Sequence, residues 1–397
     1  MGAVRTPLST KLEPFGTTIF SEMTRLALAH GAINLAQGFP DFDGPPEIIE
    51  AAVEALRGGD NQYARSQGHP RLVRALSKRY EDLYGLHFDA MTEIGVFSGC
   101  TEAIASAMLG MLNPGDEVIL FEPYYDSYPV CVTMAGAKAR FCTLRAPDFA
   151  FEPAAFEALI TPRTRLVLLN TPHNPTGKVF TRDELLAFGE ICARHDLLVI
   201  ADEVYEHLTY DEHVHVPLAS IPGLKDRTLT LSSAGKTFSL TGWKIGWSAG
   251  PAPMVAAAQA AHQFVTFATA TPLQVGVAAA LERLDPDFYV RLRAEYTERR
   301  RTLVDTLRDT GFRVRAPQGT YFVLCEFGDL FTGDDRAFTR HLVEHIGIAA
   351  IPPSVFYGDS DDGRRLVRFA FCKRPETLAE AARRLEKLRP AGGGAAS

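Results

Sequence analysis

The chain has 397 residues, 46% of them hydrophobic, 10% aromatic and 22% charged, which is enough to bury one large core or two ordinary ones and excludes a disordered tail or a disulfide-stapled mini-protein. Its 41 basic and 48 acidic residues leave a formal charge of −7 with no long Lys/Arg run, so nucleic acid is not an expected partner. No apolar stretch reaches the about 18 residues of a spanning helix, and Met1 to Pro14 lacks the apolar centre of a secretory signal, so the sequence reads as a soluble cytoplasmic protein with no membrane partner.

In chain order, apolar β-type runs alternate with helical periods: EIGVFSG, TEAIASAMLGML, EVILFEP, RLVLLN, RDELLAFGEICARH, LLVIADE and TLTLSSA. Continuous apolar strands between helices predict an α/β fold with a mostly parallel sheet covered on both faces. From about Asp285 the texture changes to a long charged helix, FYVRLRAEYTERRRTLVDTLRDT, then strand-like FRVRAP and TYFVLCEF, then an amphipathic helix ETLAEAARRLEKL. The expected organisation is an N-terminal arm over 1–45 that contributes to a small domain, a large domain over 46–285, a small α+β domain over 286–390 and a frayed tail over 391–397.

The six cysteines form no CxxC pair, which predicts buried reduced thiols. His207, His213 and His215 flank an acidic turn without a cysteine partner, so no metal is expected. Ala234-Gly235-Lys236-Thr237 ends like a phosphate-binding P-loop, but Thr230 stands where that loop needs glycine. No GxGxxG follows a strand. What remains are polar groups at strand ends: Asn174 after LVLL, Asp202 and Tyr205 after LVIA, Ser233 and Lys236 after TLTL. In an open α/β sheet that edge binds ligands. Singly, each has a plain explanation: a turn, a helix cap, a packed ring, a solvated lysine.

Together they supply a Schiff-base lysine, a carboxylate for a pyridinium nitrogen and partners for a ring hydroxyl, the set that pyridoxal 5'-phosphate requires. NTPHNPTG, ADEVYEHL and SSAGKTFSLTGWKIGW resemble the class I/II aminotransferases of the aspartate aminotransferase superfamily, fold type I, from about NLAQGFPDF to RFAFCK. Within that family the segments are most similar to the kynurenine, glutamine and methionine aminotransferases.

The resemblance implies Lys236 as the Schiff-base lysine and then the general base, Asp202 as partner of the pyridine nitrogen, and Asn174 and Tyr205 as partners of the ring hydroxylate. It places the phosphate at Cys100, Thr101 and Glu102, where a helix start offers N–H groups, with Ser233 and Lys244 completing the cradle. Many relatives carry arginine where Lys244 stands, and lysine lacks that bidentate fork. Tyr125 stacks on the ring face in this reading, with Tyr124 as competitor, and Tyr63 reaches across a homodimer to the neighbour's phosphate, so that active sites are shared.

For the substrate, the resemblance implies that Arg368 binds the α-carboxylate, with the Gly38 N–H and Asn174 assisting. The stretch from Ala261 to Ala270 offers no second arginine for an acidic side chain, and Phe267, with Phe20 and Tyr124, gives an apolar lining. Ala268 stands in place of the subgroup's histidine. The expected activity is a ping-pong exchange between a large neutral amino acid (aromatic, methionine, glutamine or kynurenine-like) and a 2-oxo acid. The alternatives are a cystathionine-type C–S β-lyase and an N-succinyl-diaminopimelate aminotransferase.

Overall fold

Twelve strands follow one another along the computed structural model, which describes residues 8–285 and 287–389. They are Ile33–Asn34 (β1), Ile94–Ser98 (β2), Glu117–Glu122 (β3), Lys138–Thr143 (β4), Thr164–Asn170 (β5), Leu198–Asp202 (β6), Thr228–Ser233 (β7), Ile245–Ala249 (β8), Arg313–Val314 (β9), Phe322–Glu326 (β10), Ile348–Ala349 (β11) and Leu366–Ala370 (β12). The expected tail over 391–397 lies outside the described residues.

Seven strands form the main sheet in the order β2-β8-β7-β6-β5-β3-β4, parallel except for β8, which runs antiparallel to both neighbours. The mostly parallel α/β expectation therefore holds. Strands β3, β7 and β8 are buried along their whole length, as continuous apolar runs must be when helices cover both faces. Two strands escape the apolar-run criterion. β4 is an edge strand, exposed or half-buried except at Cys142, and β8 follows the lysine turn with only five residues, one of them Gly246.

The first four helices are Ile19–His30 (α1), Pro46–Gly58 (α2), Pro70–Tyr84 (α3) and Gly99–Met111 (α4), of which α1 and α4 reach the site. α1 starts where the Thr18 hydroxyl accepts from the Ser21 N–H and stops at Gly31, whose φ of 58° suits glycine. α4 is apolar on most faces because it lies between the sheet and the helix Ala252–Val265. A Cβ at Gly110 would come 2.0 Å from the Ala257 carbonyl oxygen, so only glycine permits that approach.

The remaining strands build smaller sheets. β12, β10 and β9 pair antiparallel, with Leu324 opposite Arg368, and β1 pairs parallel with β11, so residues 33–34 and 348–349 share a sheet. The predicted long helix spans Phe288–Asp309 and buries Tyr296, Arg300, Leu303, Val304 and Leu307, a helical-period stripe.

One buried ion pair joins α3 to the loop after β6. Arg79 Nη2 lies 2.9 Å from Glu206 Oε2, with the two side chains 5% and 1% exposed. Tyr84 and Ser232 hydroxyls also donate to Glu206, and Arg79 donates to His207 Nε2. Burial works to raise the Glu206 pKa, but the Arg79 charge, with His207 and His215, outweighs it and brings it to about 2. Removing one partner strands the other charge. Arg79→Met should cost about 3–5 kcal/mol, and adding Glu206→Gln should restore part of that loss. Urea unfolding of both variants measures it. Because the folded pKa is depressed, the contribution is fully present above pH 4.5 and is lost as the pH falls toward about 2.

Candidate active site

The parallel register of the central strands sets the carboxyl-terminal residues side by side: Asn170 pairs with Asp202, and Asp202 with Leu231 two residues before Ser233. A cavity of about 290 Å³ opens there, lined from the main sheet by Asn174, Asp202, Tyr205, Ser233 and Lys236. Cys100, Thr101, Tyr125 and Lys244 line it from the side of α4. Phe20, Gly38 and Arg368 line it from the opposite side.

The turn carrying Asn174 is braced from within: Asn170 donates to the Asp202 carbonyl at 2.8 Å, and its Oδ1 accepts the Asn174 N–H at 2.7 Å. Asp202 is buried. Burial raises its pKa, opposed by hydrogen bonds from the Tyr128 hydroxyl, 2.7 Å from Oδ2, and the Val204 N–H. Lys236 follows Ser233 at the start of a four-residue helix. Burial lowers its pKa to about 8, against the raising influence of Cys372 and Asp202. Its Nζ lies 2.6 Å from Tyr321 Oη and 3.2 Å from the Gly38 carbonyl.

An anion cradle forms at the first turn of α4. Gly99 has φ 81°, and a Cβ there would come 3.1 Å from Lys244 Nζ, so glycine leaves room for the lysine beside the turn. A Cβ at Gly246 would come 2.5 Å from the Gly99 carbonyl carbon, which presses β8 against the same turn. The Glu102 carboxylate accepts the Ser98 N–H and pairs with His262 at 3.0 Å, bracing the turn from behind rather than lining the cavity. Ser98 Oγ meets Thr269.

Arg368 is 1% exposed. It donates to Asn174 Oδ1 at 3.1 Å and to the Ala36 carbonyl at 2.9 Å, and lies over Phe322, Phe20 and Phe356. Its Nε is buried without a partner, and burial lowers its pKa to about 10. A bound carboxylate satisfies such a group.

Besides Glu102, three sequence candidates lie off the cavity: Tyr124, Phe267 and Tyr63. Tyr124 points away because its neighbour Tyr125 takes the cavity side: the Tyr124 ring stacks on Phe141 at 5.3 Å and its N–H binds the Phe356 carbonyl. Phe267 does not line the cavity of its own chain. Its ring meets Tyr63 edge-on at 5.0 Å, and both are surface residues, 49% and 81% exposed. Among residues the sequence did not single out, Asn170 ends an apolar strand as Asp202 and Ser233 do, which was a usable signal. Tyr128 begins a helix three residues after Tyr125, and Tyr321 sits in a run that reads only as a strand. Neither carries a local signal. Among the described residues, no group of three or more His, Cys, Asp or Glu is placed to hold a metal ion, and no helix is long and apolar enough to cross a membrane.

Comparison with known proteins matches residues 30–385 to the family model "Aminotransferase class I and II". The chain is 45% identical over 394 residues to a probable N-succinyldiaminopimelate aminotransferase of Mycobacterium tuberculosis, covering 96% of this chain and 99% of that one. It is 41% identical to a methionine aminotransferase of Escherichia coli, covering 95% and 97%. The solved structure of an N-succinyldiaminopimelate aminotransferase from Mycobacterium tuberculosis superposes with a TM-score of 0.93 at 45% identity, covering 96% and 100%.

The depressed lysine is directly measurable. In protein free of small ligands, amine-selective labelling of Lys236 should follow an apparent pKa near 8, below the 10.5 of an ordinary lysine. Peptide mapping across pH 6–11 reads it, and a Lys236 midpoint equal to that of the surface lysines contradicts the electrostatics.

Proposed function

The chain belongs to the class I and II aminotransferases, and we propose that its amino donor is a large neutral amino acid and that two chains work as a cytoplasmic homodimer. The family's cofactor, pyridoxal 5'-phosphate, supplies when bound an electron sink for the charge left on the donor's α-carbon. The donor set of the cavity fits that group. A buried carboxylate pushed upward by burial, Asp202, suits a cationic ring nitrogen. Lys244, Ser233 and the N–H groups of Cys100, Thr101 and Glu102 suit a phosphate, Tyr125 a ring face, and Asn174 and Tyr205 a ring hydroxylate.

In this reading the chain's own groups divide the work. Lys236 would hold the cofactor through Nζ and, as a free amine, would take the donor's α-proton at Nζ and later return it. An amine near 8 is matched to that task at neutral pH. Arg368, with Asn174, holds the α-carboxylate and thereby fixes which bond at the α-carbon faces the lysine.

One observation carries the substrate class. Arg368 is the single arginine among the residues lining the cavity, while Phe20, Phe39 and Phe322 cover the side next to it. A second carboxylate at that wall would lie desolvated without a partner, at a cost of several kcal/mol. A second reading, an N-succinyl diamino diacid, is favoured by a groove that shares Phe20 and Gln37 with the cavity and carries exposed Arg25. The distal carboxylates of such a donor lie beyond an aliphatic spacer.

A donor panel with one common oxo acid tests both. Methionine, phenylalanine, glutamine or kynurenine should exceed aspartate in kcat/KM by on the order of 100-fold. A preference for aspartate over every neutral donor defeats the proposal. The second reading instead requires N-succinyldiaminopimelate to exceed all neutral donors, and Arg25→Ala to erase that advantage while sparing methionine.

Support for the dimer comes from four exposed apolar or aromatic residues, Tyr63, Phe264, Val265 and Phe267, 81%, 85%, 60% and 49% exposed, with the Tyr63 and Phe267 rings in contact. Six free cysteines suit a reducing compartment. If Tyr63 serves the neighbouring site, mixing Lys236→Ala with Tyr63→Phe chains should create heterodimers with one intact site and regain about a quarter of wild-type activity, since half the dimers are mixed and half their sites intact. No regain after verified subunit exchange places Tyr63 in service of its own chain.

A further inference from the structure

Tyr321 stands just before β10, and nothing in the motifs that carry the cofactor reading includes it. Its side chain is 1% exposed and held by rings on several sides: Tyr205 edge-on at 5.1 Å, Phe322 at 4.8 Å and Tyr296 nearly parallel at 6.1 Å. The hydroxyl is therefore fixed in place. It donates its one proton to the Gly38 carbonyl, so its oxygen meets the Lys236 amine, 2.6 Å away, as an acceptor. The Gly38 carbonyl, with two lone pairs, also faces Lys236 Nζ at 3.2 Å. Gly38 is confined by the same rings, since a Cβ there would come 2.5 Å from Phe322 Cζ and 3.1 Å from Tyr321 Cε2.

A neutral primary amine has two N–H donors and one lone pair. Here both donors have an acceptor, so rotation about the Cε–Nζ bond is stopped in one orientation. We propose that Tyr321 is a positioning residue: together with the Gly38 carbonyl it anchors both N–H groups of the freed Lys236 amine and leaves the lone pair turned away from those two acceptors, free to receive the donor's α-proton. When the proton arrives, the lone pair becomes the third N–H bond and the C–H electron pair stays with the substrate. The ammonium keeps two N–H groups anchored and returns the third proton from the same position. Without the Tyr321 oxygen the amine rotates, and an N–H competes for the place of the lone pair.

The inference rests on Lys236 as the proton-transfer base, and the experiment separates the two. Tyr321→Phe removes one oxygen and keeps the ring. In the holoenzyme, kcat for a good donor should fall roughly 10- to 100-fold, the primary isotope effect with the α-deuterated donor should rise, and KM and cofactor content should hardly move. In cofactor-free protein, the midpoint for amine labelling of Lys236 should shift to lower pH, because the ammonium has lost an acceptor. A fall in kcat with an unchanged isotope effect and labelling midpoint assigns Tyr321 a merely structural role and overturns the proposal, as does wild-type kcat. Tyr321→Met repeats the same measurements if the phenylalanine variant folds poorly. The base assignment fails separately, if Lys236→Ala retains turnover with the wild-type isotope effect.

Discussion

Three adjacent parallel strands, β5, β6 and β7, are buried on both faces, and their mutual register is the constraint on which the rest of the molecule depends. A slip of one residue would exchange each strand's side chains between the two covered faces, where they would no longer fit their packing neighbours, so packing favours a single pairing. That pairing brings Asn170 opposite Asp202 and ends β7 at Ser233 alongside. The turns that follow have no freedom to separate: Asn174 hangs from Asn170, and Lys236 is delivered by a short helix immediately after Ser233.

The second half of the site comes from a different sheet. Arg368 sits in the middle of β12, opposite Leu324, and is bridged on its other side to Ile351. A fully buried guanidinium is costly, and it persists here because Asn174, the Ala36 carbonyl and three aromatic faces receive it. The hydrogen bond from Arg368 to Asn174 is thus both a contact between the two sheets and part of the cavity wall.

Burial pushes the titrating groups in the cavity in opposite senses, Asp202 up and Lys236 and Arg368 down. Burial thus biases all three groups toward neutrality, and a ligand with both cationic and anionic parts offers each the opposite charge. This is how a preorganised polar site differs from an ion pair such as Arg79–Glu206, where each buried charge already faces the opposite one.

Much of this was legible in the chain order. Apolar runs closing on Asn, Asp or Ser, and a lysine in a small-residue turn, are local patterns, because strand ends and turns are set by residues a few positions apart. The residues placed by rings from distant segments were not legible. Tyr124 and Tyr125 are equivalent in sequence, and only packing against Phe141 decides which faces the cavity. Phe267 reads as lining and lies on the surface beside Tyr63. Tyr128 and Tyr321 look like core aromatics until the fold brings their hydroxyls to Asp202 and Lys236. The sequence by itself determined which polar groups stand at the strand ends, since period and turn chemistry act over short range. Only the tertiary structure decided which hydroxyls meet them, because that depends on contacts between segments up to 85 residues apart for Lys236 and Tyr321, and 194 for Asn174 and Arg368, which no local pattern encodes.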